Sequence, residues 1–173
     1  TSQVFGSTPA TVTATVAGAG AQGTVTFRAG STVLKAGVPV KGGKATLTLP
    51  KTLAVKTYAI RAEFVPSSTA TTGSTSSAVT LKVVKATAKV KASAKTVKAS
   101  ARAKVTVTVS AKGTTPTGKV TVKVNGKSVK GTLKNGKVTV TLPKLKAGKH
   151  TVKVTYAGSA KVAGKSTKKT IRV

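Results

Sequence analysis

The sequence predicts an all-β chain built as two tandem antiparallel β-sandwiches of about seven short strands each. Three observations carry that expectation. Apolar and polar residues alternate with a period of two, the chain repeats itself once, and turn-forming dipeptides punctuate the alternating runs.

The alternation is clearest in the second half. Val105, Val107 and Val109 alternate with Lys104, Thr106 and Thr108. Val120, Val122 and Val124 do so with Lys119, Thr121 and Lys123, and Val138, Val140 and Leu142 with Lys137, Thr139 and Thr141. His150, Val152, Val154 and Tyr156 share one parity, with Lys153 on the other. Each run presents one apolar and one wet face, as a half-buried strand requires, whereas a helix would space its apolar residues three and four apart. Val and Thr, stiff at χ1, favour strands as well.

The repeat keeps its order. Gly23–Phe27 answers to Gly118–Val122, Gly43–Pro50 to Gly136–Pro143, Tyr58–Phe64 to His150–Tyr156, and Leu81–Val83 to Ile171–Val173. Two domains follow, residues 1–84 and 85–173, the first with its opening strand truncated. Asn125-Gly126 and Asn135-Gly136 favour type I′ turns, and Gly42-Gly43 takes the place of the latter in the first repeat. Pro50 and Pro143 close their strands, because proline donates no ladder hydrogen bond.

Composition narrows the chemistry. The 173 residues hold 31 Lys and Arg against one acid, Glu63, a formal charge of +30. Such a chain attracts polyanions: nucleic acid, anionic wall polymers or acidic headgroups. Without cysteine it has neither disulfide nor thiolate chemistry. No apolar run approaches the roughly 20 residues of a membrane helix, so no transmembrane segment is expected. The chain reads as a piece excised from a longer processed polypeptide, acting beside the rest of its parent, and as a monomer.

On these residues the sequence resembles the bacterial immunoglobulin-like (Ig-like) domains of the group 3 type, repeated on secreted and surface proteins, especially of actinobacteria. The pattern is Gly-x-Val-x-Phe/Val, then Gly-x-Ala/Val-Thr-hydrophobic-x-Leu-Pro. It ends with the run from Leu145 through Gly148 and His150 to Tyr156. The first repeat departs from it with Lys56 and Tyr58 in place of Gly148 and His150. The resemblance implies an Ig-like sandwich serving as spacer, stalk or adhesive module, located extracellularly or at the cell surface. It carries over no catalytic residue and no cofactor.

Three motifs suggest chemistry and fail on context. Gly113–Lys119 opens like a phosphate-binding loop, but Val120 stands where Ser or Thr would hold magnesium, and a strand follows instead of a helix. Ser166-x-x-Lys169 matches an acyl-transferase pattern that needs a helical turn to put both side chains on one face. His150 and Glu63 are the only histidine and the only carboxylate, in different repeats, so no triad, carboxylate pair or metal set assembles. His150 shares its parity with core residues and replaces Tyr58, which points to a structural, hydrogen-bonded role. No enzymatic activity and no cofactor are expected.

The lysines remain. The first repeat has eight basic residues and Glu63, the second 23 and no acid. Lys104, Lys119, Lys123, Lys137 and Lys153 stand on the wet parity of their strands and are the candidate polyanion contacts. Two readings of them are open: a cationic face for an anionic cell-wall polymer, or charge that only keeps an all-β chain soluble and guards its edges. The alternative partner is nucleic acid bound without sequence preference, as an appendage to an extracellular enzyme such as a nuclease. Base-specific reading is disfavoured because Arg is scarce and the second repeat has one aromatic, Tyr156, on its core face.

Overall fold

The computed structural model describes residues 1–18, 20–98 and 100–173. The all-β expectation holds: strands joined by turns fill the molecule, and no helix occurs among the described residues. The chain divides into two compact units, Thr1–Val84 and Lys85–Val173.

The first unit contains β1 (Ser2–Val4), β2 (Thr11–Thr15), β3 (Gly23–Ala29), β4 (Thr32–Pro39), β5 (Lys44–Thr48), β6 (Thr57–Pro66), β7 (Ser74–Thr75) and β8 (Val79–Val84). One sheet runs β1-β8-β6-β3-β4, with β7 also on β6, and β2 pairs with β5 in the other. The short β1 lies parallel to β8, Ser2 to Val4 opposite Lys82 to Val84. Gln3 pins this entry: its amide donates to the Pro50 carbonyl at 2.8 Å and accepts from the Ala10 N–H at 2.9 Å. A buried amide satisfied on both sides escapes the desolvation penalty of an unpaired one. Val25, Phe27, Leu49, Ile60 and Leu81 fill the core.

The second unit contains β9 (Lys89–Ala94), β10 (Lys104–Ser110), β11 (Lys119–Val124), β12 (Lys127–Thr132), β13 (Lys137–Thr141), β14 (Lys149–Tyr156) and β15 (Lys165–Arg172). Its sheets are β13-β10-β9 and β12-β11-β14-β15, with every strand pairing antiparallel. The valines of β10, β11 and β14 are buried as their parity demands, together with Leu142 and Tyr156. Between β11 and β12, Asn125 and Gly126 have φ of 46° and 77°. Asn135 and Gly136, leading into β13, have φ of 49° and 73°. Positive φ at both central residues makes the type I′ turn, whose twist matches that of the flanking strands.

The repeated units share a corner at the start of their longest core strands. The Tyr58 hydroxyl, on β6, donates to the carbonyl of Ala54, four residues back, at 3.0 Å. In the second unit the corner is made by His150 on β14, whose Nε2 lies 2.8 Å from the carbonyl of Lys146, again four residues back. Its Nδ1 sits 3.1 Å from the side-chain nitrogen of Asn125. A carbonyl can only accept and an amide NH2 only donate, so the neutral imidazole carries its proton on Nε2. Lys56 lies over the Tyr58 ring, 4.8 Å from its centroid, which gives this departure from the second repeat a cation–π contact.

Replacing Tyr58 by Phe deletes the corner hydrogen bond while keeping the ring. The expected cost is about 1 kcal/mol of stability, seen as a lower denaturation midpoint at unchanged slope. For His150, nitrogen NMR of the neutral ring should show a protonated Nε2 and an unprotonated Nδ1. The opposite tautomer would mean that the bond to Lys146 is not made.

Candidate functional site

Strand register decides which lysines stand together. On the outer face of β12-β11-β14-β15, Lys123 lies opposite Lys153, and Lys153 lies opposite Lys168. All three are exposed. Neighbouring strands are about 4.8 Å apart, so the three cations form a row about 10 Å long perpendicular to the strands. Ser128 ends the row on β12.

The next row in one direction is Lys130, Thr121, Thr155 and Ser166, in which the Thr155 and Ser166 hydroxyls are 3.0 Å apart. Thr151 and Thr170 flank the lysine row on the other side, with Lys149 opposite Arg172 beyond them. Lys119 is on the same face but two rows from Lys123, opposite Thr132. The face therefore alternates cations with hydroxyls, and no acidic side chain in the unit neutralises it.

Lys104 and Lys137 belong to the other sheet, whose outer face points the opposite way. Lys104 lies opposite Thr141, and Lys137 opposite Thr108, which in turn faces Lys91. Of the five candidate lysines, the structure thus brings Lys123 and Lys153 together, puts Lys119 on the same face, and separates Lys104 and Lys137 from them. Lys168 escaped the sequence reading. Its strand, Lys165–Arg172, has only Ile171 as a large apolar residue, so its parity becomes legible only through pairing with β14.

Opposed like charges raise the free energy of a strand pair, and here the repulsion falls twice within one row. Protonated lysines spread by this repulsion can close on an anionic chain laid across the strands, while the flanking hydroxyls donate hydrogen bonds to its oxygens. The arrangement suits electrostatic capture of a flexible polyanion. It contains no nucleophile–base pair.

The other groups singled out in the sequence are occupied structurally. Glu63 accepts from Arg28 Nε at 2.7 Å, an ion pair with both side chains more than a third exposed. Ser166 and Lys169 pair with Thr155 and Val152, on opposite parities of β15, so they share no face. The loop ending at Gly118-Lys119 leads into β11, a strand. Among the described residues no three His, Cys, Asp or Glu side chains gather, and no helix is long and apolar enough to cross a membrane.

Comparison with known proteins agrees with the fold. The bacterial Ig-like domain (group 3) matches twice, over residues 1–84 and 90–173. No curated protein matches the chain. Similar solved structures include the fibronectin(III)-like modules of Clostridium thermocellum CbhA, at 21% identity over 99% of this chain and 88% of that one, with a TM-score of 0.41. The Yersinia pseudotuberculosis adhesin InvE is 19% identical over 99% of this chain and 56% of its own, with a TM-score of 0.42. A 1.5-MDa bacterial ice-binding adhesin is 14% identical over 99% of this chain and 61% of its own, with a TM-score of 0.40. The chain thus spans less than two thirds of either adhesin structure. At such scores these likenesses carry no argument, and the assignment rests on two sequence matches that cover nearly every residue. The chain belongs to the bacterial Ig-like domain family, group 3, as two tandem immunoglobulin-like sandwiches.

Proposed function

We propose that this chain is a non-catalytic structural and adhesive module of a secreted or cell-surface bacterial protein, in which the two sandwiches act as a spacer and the second holds an anionic envelope polymer. The observation that carries this reading is the row Lys123–Lys153–Lys168, unneutralised and flanked by hydroxyls. A role limited to solubility would be served by lysines scattered singly. Three in lateral register raise the repulsion that a polyanion relieves.

The division of charge supports the same reading. A spacer needs no difference between its units, yet 23 of the basic residues lie in the second. Single-stranded nucleic acid would meet the same charge, but the face offers no aromatic surface on which its bases could stack. An envelope polymer of repeating phosphates needs no such surface.

Retention on purified Gram-positive cell walls tests the proposal. At physiological salt and with excess DNA as competitor, the chain should sediment with the walls, while a K123Q/K153Q/K168Q variant should lose most of its binding. Equal retention of the variant, or complete displacement by DNA, would overturn the proposal, the latter in favour of a nucleic-acid appendage.

A second expectation follows from self-repulsion. Surface charges interact over a screening length of about 30 Å at 10 mM salt and about 8 Å at physiological strength. The melting temperature of the second unit should therefore climb as salt or a soluble polyanion is added, and climb more than that of the first. Calorimetry showing a salt-independent second unit would contradict this.

A further inference from the structure

The outer face of β13-β10-β9, opposite the lysine row, is not flat. A cavity of about 630 Å³ opens where β9 ends, lined by the hydroxyls of Ser93, Thr106 and Thr139 and by the cations of Lys95, Arg102 and Lys104. Ala94 and Val97 complete it with apolar surface.

Register explains the clustering. Thr106 faces Thr139 on one side and Ser93 on the other, giving a row of three hydroxyls across three strands. Ala94, the last residue of β9, is opposite Val105, and Lys95 follows it directly to line the cavity together with Lys104. The Thr106 and Thr139 hydroxyl oxygens are 3.0 Å apart. Whichever donates to the other, its partner keeps its own proton for a further acceptor.

The first unit supplies an internal control. Thr13 and Thr46 occupy the places of Thr106 and Thr139, with their hydroxyls 3.1 Å apart, so the threonine pair belongs to the fold. Lys104 does not: Thr11 stands in its place in the first unit. That cation is particular to the second unit, which has no acidic side chain to pair with it.

We infer that this cavity is a discrete binding site for a phosphate ester of a polyol or sugar. Tetrahedral oxyanions suit the residues present. The Arg102 guanidinium spans two phosphate oxygens with parallel N–H donors, the two lysines serve as mobile point charges, and the threonine hydroxyl that keeps its proton donates a further hydrogen bond, Ser93 Oγ being turned to the Thr106 carbonyl at 3.5 Å. The volume exceeds what a bare phosphate needs and falls within the range of small-ligand sites, roughly 300–1,000 Å³. Ala94 and Val97, partly buried against the core, give the lining the apolar surface that the carbon skeleton of an ester needs. A nucleobase would find no aromatic ring there. The inference rests on the envelope reading only for its natural source of ligand, a polyol-phosphate unit within a polymer. A soluble phosphorylated sugar would present the same chemistry.

Calorimetric titration of the whole chain at physiological salt tests it, with sn-glycerol 3-phosphate and synthetic poly(glycerol phosphate) as probes. Glycerol 3-phosphate should saturate at one per chain. K104T, which installs the residue of the first unit, and R102Q should each weaken it roughly tenfold, as loss of a charge-assisted contact does. K123Q/K153Q/K168Q, on the opposite face, should change it by less than about twofold, the size of a distant screened charge effect. If K104T and R102Q also weaken the polymer, the source is a polymer unit; if they affect only the monoester, it is a soluble ester.

Binding that never saturates, or that falls equally in both sets of variants, overturns the site. So does displacement of glycerol 3-phosphate by oligothymidine at equal phosphate concentration. The two readings fail separately. Wall retention through the lysine row without saturable glycerol 3-phosphate binding removes the cavity alone. Saturable binding without wall retention removes the envelope reading alone.

Discussion

A single carboxylate serves 31 basic side chains, and much of the architecture follows from that imbalance. A buried lysine needs a counter-charge, and here there is almost none to give. Glu63 is already paired with Arg28 on the surface of the first unit. The only buried polar side chain among the described residues is accordingly neutral, Gln3, satisfied at both ends of its amide. Each lysine must reach water, and a strand that alternates strictly with valine is the simplest way to let it. The outer faces become cationic because the core tolerates no exception.

The same constraint sets the character of the core. Between closely packed sheets the second unit places mostly valine, joined by Leu142, Leu145, Ile171 and Tyr156. The valines and Ile171, branched at Cβ, lose little rotamer freedom in a strand, so an aliphatic core can hold a unit whose surface works against it. Tyr156 anchors the far end of its strand, donating to the Thr117 carbonyl at 2.7 Å. With His150 at the near end, β14 is tied at both ends to neighbouring loops.

Much of this was legible in the sequence because it depends on local rules. Period-two alternation located the strands of the second unit, and the Asn-Gly dipeptides marked turns that the backbone makes with positive φ. The exchange of Tyr58 for His150 at one parity pointed to a structural role, and both side chains close the same corner. What could not be read was non-local. Nothing in Ser2–Val4 announces parallel pairing with β8. The wet parity of a strand names its lysines but not its sheet, so five candidates read as one population fall on two opposite faces. Lys168 was hidden because its strand carries lysines on both parities, and only its partner β14 reveals which way each points.

The lysines on the core parity of the edge strands have a different consequence. Lys127 on β12 lies opposite Val124, while Lys165 and Lys169 on β15 lie opposite Tyr156 and Val152, and all three are exposed. An incoming strand that extended this sheet would have to bury or displace an ammonium group at each of these positions. Two similar sandwiches on one polypeptide meet each other at high effective concentration while they fold, and strands with matching patterns are prone to exchange between neighbours. Charged edges make that exchange unfavourable, so the ordering of a tandem chain into independent modules is written into side chains that take no part in either proposed site.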